Sequence, residues 1–313
     1  MKAKDFEFDG KCLSSFGFAI CNFDGNKGLV TIDGAEITFN TVPSFNGQKY
    51  NLTSTQYEDC LEAVIQVCKY SCSTDVQEIS SIEFREISKW LNRKKFLKFK
   101  ILDKEHIDLY YNASVKSINR IEINGKLIGL ELNIVTNSPN AFKEPRTFDV
   151  RIRKSYTWER YGKTNDGKKG ERIGEYVTSY NRDSYPDDGV KNNYYYIYVD
   201  ENFDNEAVIN DISDEEGHIY PYTEIIVNEN GNLNIHNAIE DRNTYIANCV
   251  AGEVIIMDYP IIKSSVSSHD ILNDFNWNFF RVANTYNNNR NDLTISIPCN
   301  IKIRYSPIVK VGL

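Results

Sequence analysis

Apolar side chains recur at every second position through most of this chain. Leu61, Ala63, Ile65 and Val67 fall on one face of an extended segment, and Leu97, Phe99 and Ile101 do the same, which is the period of a half-buried β-strand. Val30 and Ile32 alternate up to Asp33-Gly34, with Ile37 and Phe39 beyond it. Ile121 and Ile123 lead into Asn124-Gly125, with Leu130, Leu132 and Ile134 beyond. Both dipeptides favour the positive backbone angles of a two-residue hairpin turn, so each site predicts a hairpin. The alternation returns near the end. Ile225 and Val227 precede Asn230-Gly231 and Leu233 and Ile235 follow; Val254 and Ile256 run up to Asp258; Leu293, Ile295 and Ile297 predict one late strand, and Ile301, Ile303 and Tyr305 another. Strands separated by turns at such intervals predict a sandwich.

One segment has a different period. Ile79, Ile82, Ile87, Trp90 and Leu91 recur at helical spacing, and Ser80 with Glu83 forms a capping-box pattern at the start. A lone amphipathic helix beside strands packs its apolar side on a sheet, which makes Trp90 the expected anchor. The fold class predicted is therefore all-β with one main short helix. Turn residues gather at Asn137-Ser138-Pro139-Asn140, and the chain divides into a domain over 1–142 and a second over 143–313.

Charge separates within the second domain. Residues 151–172 hold eight basic and three acidic side chains, whereas 199–217 hold eight acidic and none that is basic. The stretch 151–200 reads as one or two long hairpins, rich in Tyr and Asn. The opposite blocks either pair, within the chain or between subunits, or are solvated loops.

Composition narrows the function. Tyr occurs 20 times and Phe 16 times against Met twice, which favours strands and large polar contact surfaces. A formal net charge of −8 excludes a general nucleic-acid coat. The opening MKAKDFEFDGKCL has no apolar run of the secretory kind, and no window reaches the about 18 apolar residues that cross a bilayer, so folding in a cytoplasm without membrane insertion is expected. Seven cysteines fit free thiols there, and Cys68 and Cys72 make a poor metal knuckle. The four histidines His106, His218, His236 and His269 fall in no metal motif. No phosphate-binding glycine loop or nucleophile elbow is present. Glu253 with Asp258, or Asp214, Glu215 and Glu216, would be needed as an acid and base pair, and chance spacing explains them as well. No catalysis, no cofactor and no metal are expected.

The remaining candidates are contact residues. Alternation turns Ile121 and Ile123 inward and Arg120 and Glu122 the other way, towards a neighbour or solvent. Trp277, flanked by Asn276 and Asn278, is either a core residue, the favoured reading, or a platform for a sugar ring. Tyr194, Tyr196 and Tyr198 share one strand face, with Tyr195 opposite, as core, subunit interface or glycan contact.

The ordered set of these segments resembles the distal tail proteins of siphophages, the Dit family. FEFDGKCLSSFGFAICNF, LEAVIQVCKY, EISKWL, FLKFKILDKEHIDLYYNASVKSI and RIEINGKLIGLELNIVTNSPNAF carry the likeness in the first domain; YPYTEIIVNENGNLNIHN, NCVAGEVIIMD and NNRNDLTISIPCNIKIRYSPIVKVGL carry it in the second. The chain departs from the family at two places: Asn210-Asp211-Ile212 stands nearest to the Asn-Ile-Gly-Asp stretch that members commonly have on entering the second domain, and Asn291-Asp292 to their Pro-Gly-x-Asn turn before the last strands. The resemblance implies a β-sandwich-like, ring-forming belt domain and a galectin-like or carbohydrate-binding-module-like β-sandwich. It implies a hexameric ring of the virion tail tip, or of a prophage-derived particle, assembled in the host bacterium. That ring joins the tail tube protein to a tail-associated hub or lysin-type protein, carries a receptor-binding protein or meets a host surface glycan, and lets DNA pass. A stand-alone carbohydrate-binding β-sandwich is the alternative.

Overall fold

The computed structural model describes residues 4–23, 30–32, 36–43, 50–69, 77–104, 106–178, 194–285 and 287–311. They are mostly β-strand with one main helix. Two compact units result: Met1–Glu144 with Ser213–Glu215 and Ser306–Leu313, and Pro145–Ile212 with Glu216–Tyr305.

The first unit contains β1 (Phe6–Phe8), β2 (Lys11–Cys12), β3 (Phe18–Ile20), β4 (Val30–Ile32), β5 (Ile37–Pro43), β6 (Tyr50–Tyr57), β7 (Glu62–Lys69), α1 (Ser81–Leu91), β8 (Leu97–Ile101), β9 (Leu109–Ile123), β10 (Lys126–Thr136) and β11 (Ala141–Lys143). The main sheet runs in the order β2-β1-β8-β9-β10-β7-β3, with β4 on β7 and β11 on β9. Ile65, Val67, Phe99, Ile101, Leu130 and Leu132 are buried on its inner face. Ile87, Trp90 and Leu91 of α1 join the same core.

Helix α1 begins where local chemistry allows. The Glu83 amide donates to Ser80 Oγ at 3.3 Å and the Ser80 amide donates to Glu83 Oε2 at 2.9 Å, satisfying two amides that the first turn leaves unpaired. Trp90 is 3% exposed. Its indole N–H donates to the Phe8 carbonyl at 3.0 Å, and its ring stacks on Phe16 at 4.4 Å and on Phe6 at 5.8 Å. Ile82 shares the helical spacing but faces solvent, because a three-turn helix presents only one narrow stripe to the sheet.

Two sequence expectations change here. Asn124 and Gly125 adopt φ of 53° and 75° and close the β9–β10 hairpin as expected. The ladder above them is irregular, however: Val115 faces Ile134 while Ser117 faces Asn133. This bulge inserts one residue into β9 and reverses its facing. Beyond it, Arg120 lies opposite buried Leu130 and Ile121 lies opposite Gly129. Arg120 and Glu122 are thus exposed side chains on the inner face of the sheet, and the Arg120 guanidinium lies 4.6 Å from the Phe84 ring centre of α1. Ile123, expected to be buried, is exposed. The Asp33-Gly34 turn lies outside the described residues. The strands on either side of it pair elsewhere: β4 with β7, and β5 with β6.

The second unit contains β12 (Arg146–Lys163), β13 (Lys169–Thr178), β14 (Tyr194–Asp204), β15 (Glu206–Asn210), β16 (Gly217–Ile219), β17 (Tyr222–Val227), β18 (Gly231–Asn237), β19 (Arg242–Cys249), β20 (Val254–Asp258), β21 (Ile261–Ser264), the short α2 (Ile271–Asp274), β22 (Val282–Asn284), β23 (Arg290–Ile295) and β24 (Cys299–Tyr305). One sheet runs β13-β12-β24-β17-β20-β21, with β14 also on β12; another runs β15-β23-β18-β19. Ile225, Val227, Ile301 and Ile303 of the first share a core with Leu233, Ile235, Leu293 and Ile295 of the second. Two antiparallel sheets over one core make this a β-sandwich. In β20 the buried residues are Ile255 and Met257 rather than Val254 and Ile256, since the run VIIM is apolar at both parities. After β24 the chain returns to the first unit, where β25 (Ile308–Val309) pairs with β11.

A polar anchor sits inside the sandwich. Asn291 is fully buried; its Nδ2 donates to the carbonyl of Ala283 at 2.9 Å, and its Oδ1 accepts from the Ala283 amide and from Asn237 Nδ2, both at 2.8 Å. Asp211, also buried, accepts from the Tyr305 hydroxyl at 3.1 Å.

Three outcomes are expected in unfolding experiments. Trp90→Ala lowers stability by about 3–5 kcal/mol in urea titration, the cost of a vacated aromatic core site. Asn291→Leu lowers it by about 2–4 kcal/mol, because it strands several buried backbone and side-chain partners. The third concerns acid. The Lys69 ammonium, together with Ser80, holds the Glu83 carboxyl down at about 2 against an ordinary 4.5. A folded value below the unfolded one stabilises above the unfolded value and is lost as pH falls through the folded one. Stability therefore declines between about pH 4.5 and 2, and the Glu83→Gln variant shows a shallower decline over that window in melting temperature.

Candidate assembly interface

The least covered element of the first unit is the ribbon of β5 and β6. Its sequences, ITFNTVP and YNLTSTQY, are rich in β-branched and aromatic residues and suit extended backbone. Among the described residues these strands pair only with each other. Ile37 faces Tyr57 and Phe39 faces Thr55; after a register shift, Thr41 faces Leu52 and Pro43 faces Tyr50. Directly opposed residues share a face. The shift, at Thr53, therefore carries Leu52 and Tyr50 onto the face that already bears Ile37 and Phe39. Without it they would join the polar side with Asn40 and Ser54.

The result is a ribbon whose large apolar side chains gather on one face, with Val42 the apolar residue of the other. Phe39 is 62%, Leu52 57% and Tyr50 73% exposed. The opposite face is held by polar ties, with Asn40 Nδ2 donating to Ser54 Oγ at 3.0 Å and Thr38 Oγ to the Glu58 carboxylate. At the base, the Tyr57 hydroxyl donates to Glu215 Oε2 at 2.7 Å, and Lys310 Nζ lies 3.1 Å from the same carboxylate. Burial, with Glu215 adding to it, pushes the Tyr57 phenol up to about 12, so this hydroxyl stays a donor at neutral pH. The ribbon is thus anchored at its foot while its apolar face is open.

The second unit has its own extension. The first half of β12, over 146–152, pairs with β24, and the second half runs on between β13 and β14. Of the charged blocks expected either to pair or to be solvated loops, the basic one lies mostly on β12 and β13 and the first half of the acidic one on β14 and β15, while Asp211, Asp214, Glu215 and Glu216 lie between strands; part of them pairs, with Arg153 facing Asp204 and Lys154 Nζ 3.4 Å from Glu201. Tyr196 is buried with Tyr156 and Trp158, while Tyr194 and Tyr198 pack beside them half-buried. Tyr195 points the other way and is exposed, beside Ile197 and Val199. Residues 179–193 lie outside the described residues.

Trp277 is 56% exposed, contrary to the core placement favoured by its neighbours in sequence. Its φ of 57° puts it in the left-handed region and turns it outward, while Phe275, Phe279 and Phe280 fill the core. Asn276 serves the backbone, accepting from the Tyr245 amide at 3.2 Å and donating to the Asn243 carbonyl at 3.0 Å.

Glu253, Asp214 and Glu215, three of the acidic residues weighed as catalysts, have structural partners. Glu253 is buried; it accepts from the Val250 amide at 2.9 Å and from Ser264 Oγ at 2.5 Å, and its Oε1 lies 2.6 Å from His269 Nδ1. Asp214 Oδ2 accepts from the Lys310 amide at 3.3 Å. Cys72, one of the two cysteines considered for a metal, lies outside the described residues.

Sequence reasoning did not single out the ribbon. The signal was present in the adjacent apolar residues Tyr50 and Leu52, but it takes the bulge at Thr53 to gather them with Phe39.

Comparisons with known proteins bear on both units. Residues 1–138 match the family model described as a phage tail protein N-terminal domain, and residues 192–305 match one described as a phage tail C-terminal domain. Among solved structures, the chain is similar to the SPP1 Dit (gp 19.1) protein, described as a paradigm of hub adsorption apparatus in Gram-positive infecting phages. That likeness has a TM-score of 0.56 at 9% identity, over 97% of this chain and 99% of that one. No curated protein matches the sequence.

Proposed function

We propose that this phage tail protein is a non-enzymatic part of the distal tail, six copies of which close into a ring through the first unit. The apolar face of the β5–β6 ribbon carries the proposal. A two-stranded ribbon is marginal by itself in water, and an apolar stripe of this kind finds its cover on another chain. A second copy is the cover that a closed ring supplies, because each subunit then gives its ribbon to one neighbour and receives one from the other. The fold shared with SPP1 Dit, itself described as a hub adsorption protein, supports the same reading.

In this role the ring joins the tail tube protein to the tail-associated hub or lysin-type protein at the virion tail tip, and DNA passes through its opening. The net charge of −8 per chain suits passage, since acidic walls repel phosphates and keep the duplex from adhering; a basic lumen in the assembled ring would overturn that point. The second unit takes the place of a galectin-like module turned towards a receptor-binding protein or a host glycan. Trp277 favours a glycan as a second reading, because an exposed indole offers a flat face to a sugar ring. Glycan-array binding lost in Trp277→Ala would support it, and an unchanged profile would remove it.

The ribbon is tested by light scattering coupled to gel filtration. The native chain is expected at six times the mass of one copy when concentrated, and the double variant Phe39→Asp with Leu52→Asp at the mass of one copy. Both positions are exposed, so the variant's melting temperature should match that of the dilute native chain. A native chain that stays monomeric at high concentration, or a double variant that still assembles, would refute the proposal.

A further inference from the structure

The outer face of the first unit brings two cysteines together. Strand β3 lies antiparallel to β7 with Ala19 opposite Cys68, and the ladder continues with the Cys21 amide donating to the Gln66 carbonyl at 2.9 Å. Cys21 and Cys68 are therefore diagonal neighbours on one sheet face, close enough for each to move the other's titration. The residues flanking Cys68 are small: Ala19 on one side and Gly129 on the other. A side chain at Gly129 would collide with the Phe23 ring, which occupies that space at 2.4 Å from where a Cβ would stand. Both thiols are free and half-buried, within reach of a small reagent.

We propose that Cys21 and Cys68 form a cross-strand dithiol that a small-molecule disulfide oxidises to an intramolecular bond, fastening β3 to β7. The Cys68 thiolate attacks one sulfur of the reagent R–S–S–R; a mixed disulfide forms and RS⁻ leaves, taking up a proton. The Cys21 thiolate then attacks the Cys68 sulfur, the second RS⁻ leaves and is protonated, and the Cys21–Cys68 bond is made. The protein loses two hydrogens and two RSH are produced. The order follows from the opposite effects that the two thiols have on each other. The Cys21 S–H stabilises a thiolate on its partner, which lowers the Cys68 thiol to about 7, and Cys21 itself is raised. A diagonal pair sits about 7–8 Å apart between Cα atoms, slightly beyond the spacing a disulfide accepts. The required approach falls on β3, a three-residue strand at the end of the main sheet path, where the ladder gives most easily. The bond would close a covalent loop from 21 to 68 around β4, β5 and β6.

The experiment exposes the full chain to oxidised glutathione or to dithiothreitol, followed by peptide mapping under non-reducing conditions. A linked Cys21–Cys68 peptide two hydrogens lighter than its parts is expected, with a melting temperature about 5–10 °C above that of the reduced chain. Cys21→Ala should lose both and accumulate a glutathione adduct at Cys68, whose alkylation rate then rises at higher pH than in the native chain. Thiols that remain fully alkylatable after oxidation, a stable adduct on native Cys68, or a bond from either residue to Cys60 or Cys72 would overturn the proposal. The native map alone decides this if the variant folds poorly.

Discussion

A β-sheet has two faces and two edges, and the chain that makes it must find cover for each of them. Every feature of this protein that bears on function can be traced to how that demand is met or left open. In the first unit the inner face is closed by one short helix, and the quality of that closure rests on Trp90, whose ring is held among Phe6, Phe8 and Phe16. In the second unit two sheets close over one another, and the short α2 adds only Ile271 to their core. What is left uncovered is as informative: the apolar face of the ribbon in one unit, and in the other the strip around Ile197 and Val199.

Polar groups inside the sandwich do a different job. Asn237 and Asn291 bond to each other and to backbone on neighbouring strands. Such a pair adds little net stability over a well-packed apolar core, but its directionality penalises any other register of the strands that it joins. Asp211 acts likewise at the end of β15, next to the start of β23. Two stretches that look like turn sequences in the chain thus meet as one buried anchor.

The sequence was most legible where a local rule decides the outcome. The capping box at Ser80 and Glu83 and the Asn124-Gly125 turn are set by a few adjacent residues, and both stand as read. Alternation located most strands because the period of two is fixed by backbone geometry. It failed at the bulges. One extra residue in β9 exchanged the facing of Arg120 and Ile121, and another at Thr53 assembled the apolar stripe of the ribbon. A bulge depends on how two strands are registered against each other, which neither strand records alone. Trp277 was misplaced for a related reason: its side chain goes where a left-handed backbone sends it, and the surrounding aromatics gave no sign of that conformation. Asn291 gave the opposite error, since asparagine reads as a turn residue until the fold encloses it.

The return of the carboxyl-terminal segment to the first unit imposes an order of events on synthesis. Ile308 and Val309 pair with β11, the amide of Asp214 donates to the Ile308 carbonyl, and Val309 and Val311 pack on the first core. Because the whole sandwich lies between β11 and β25 in the sequence, the β11 edge stays open during synthesis until residues 308–309 have been translated. In the proposed ring, a copy that met a neighbour before that point would lack this strand, so the pairing of matched subunits waits on the synthesis of both units.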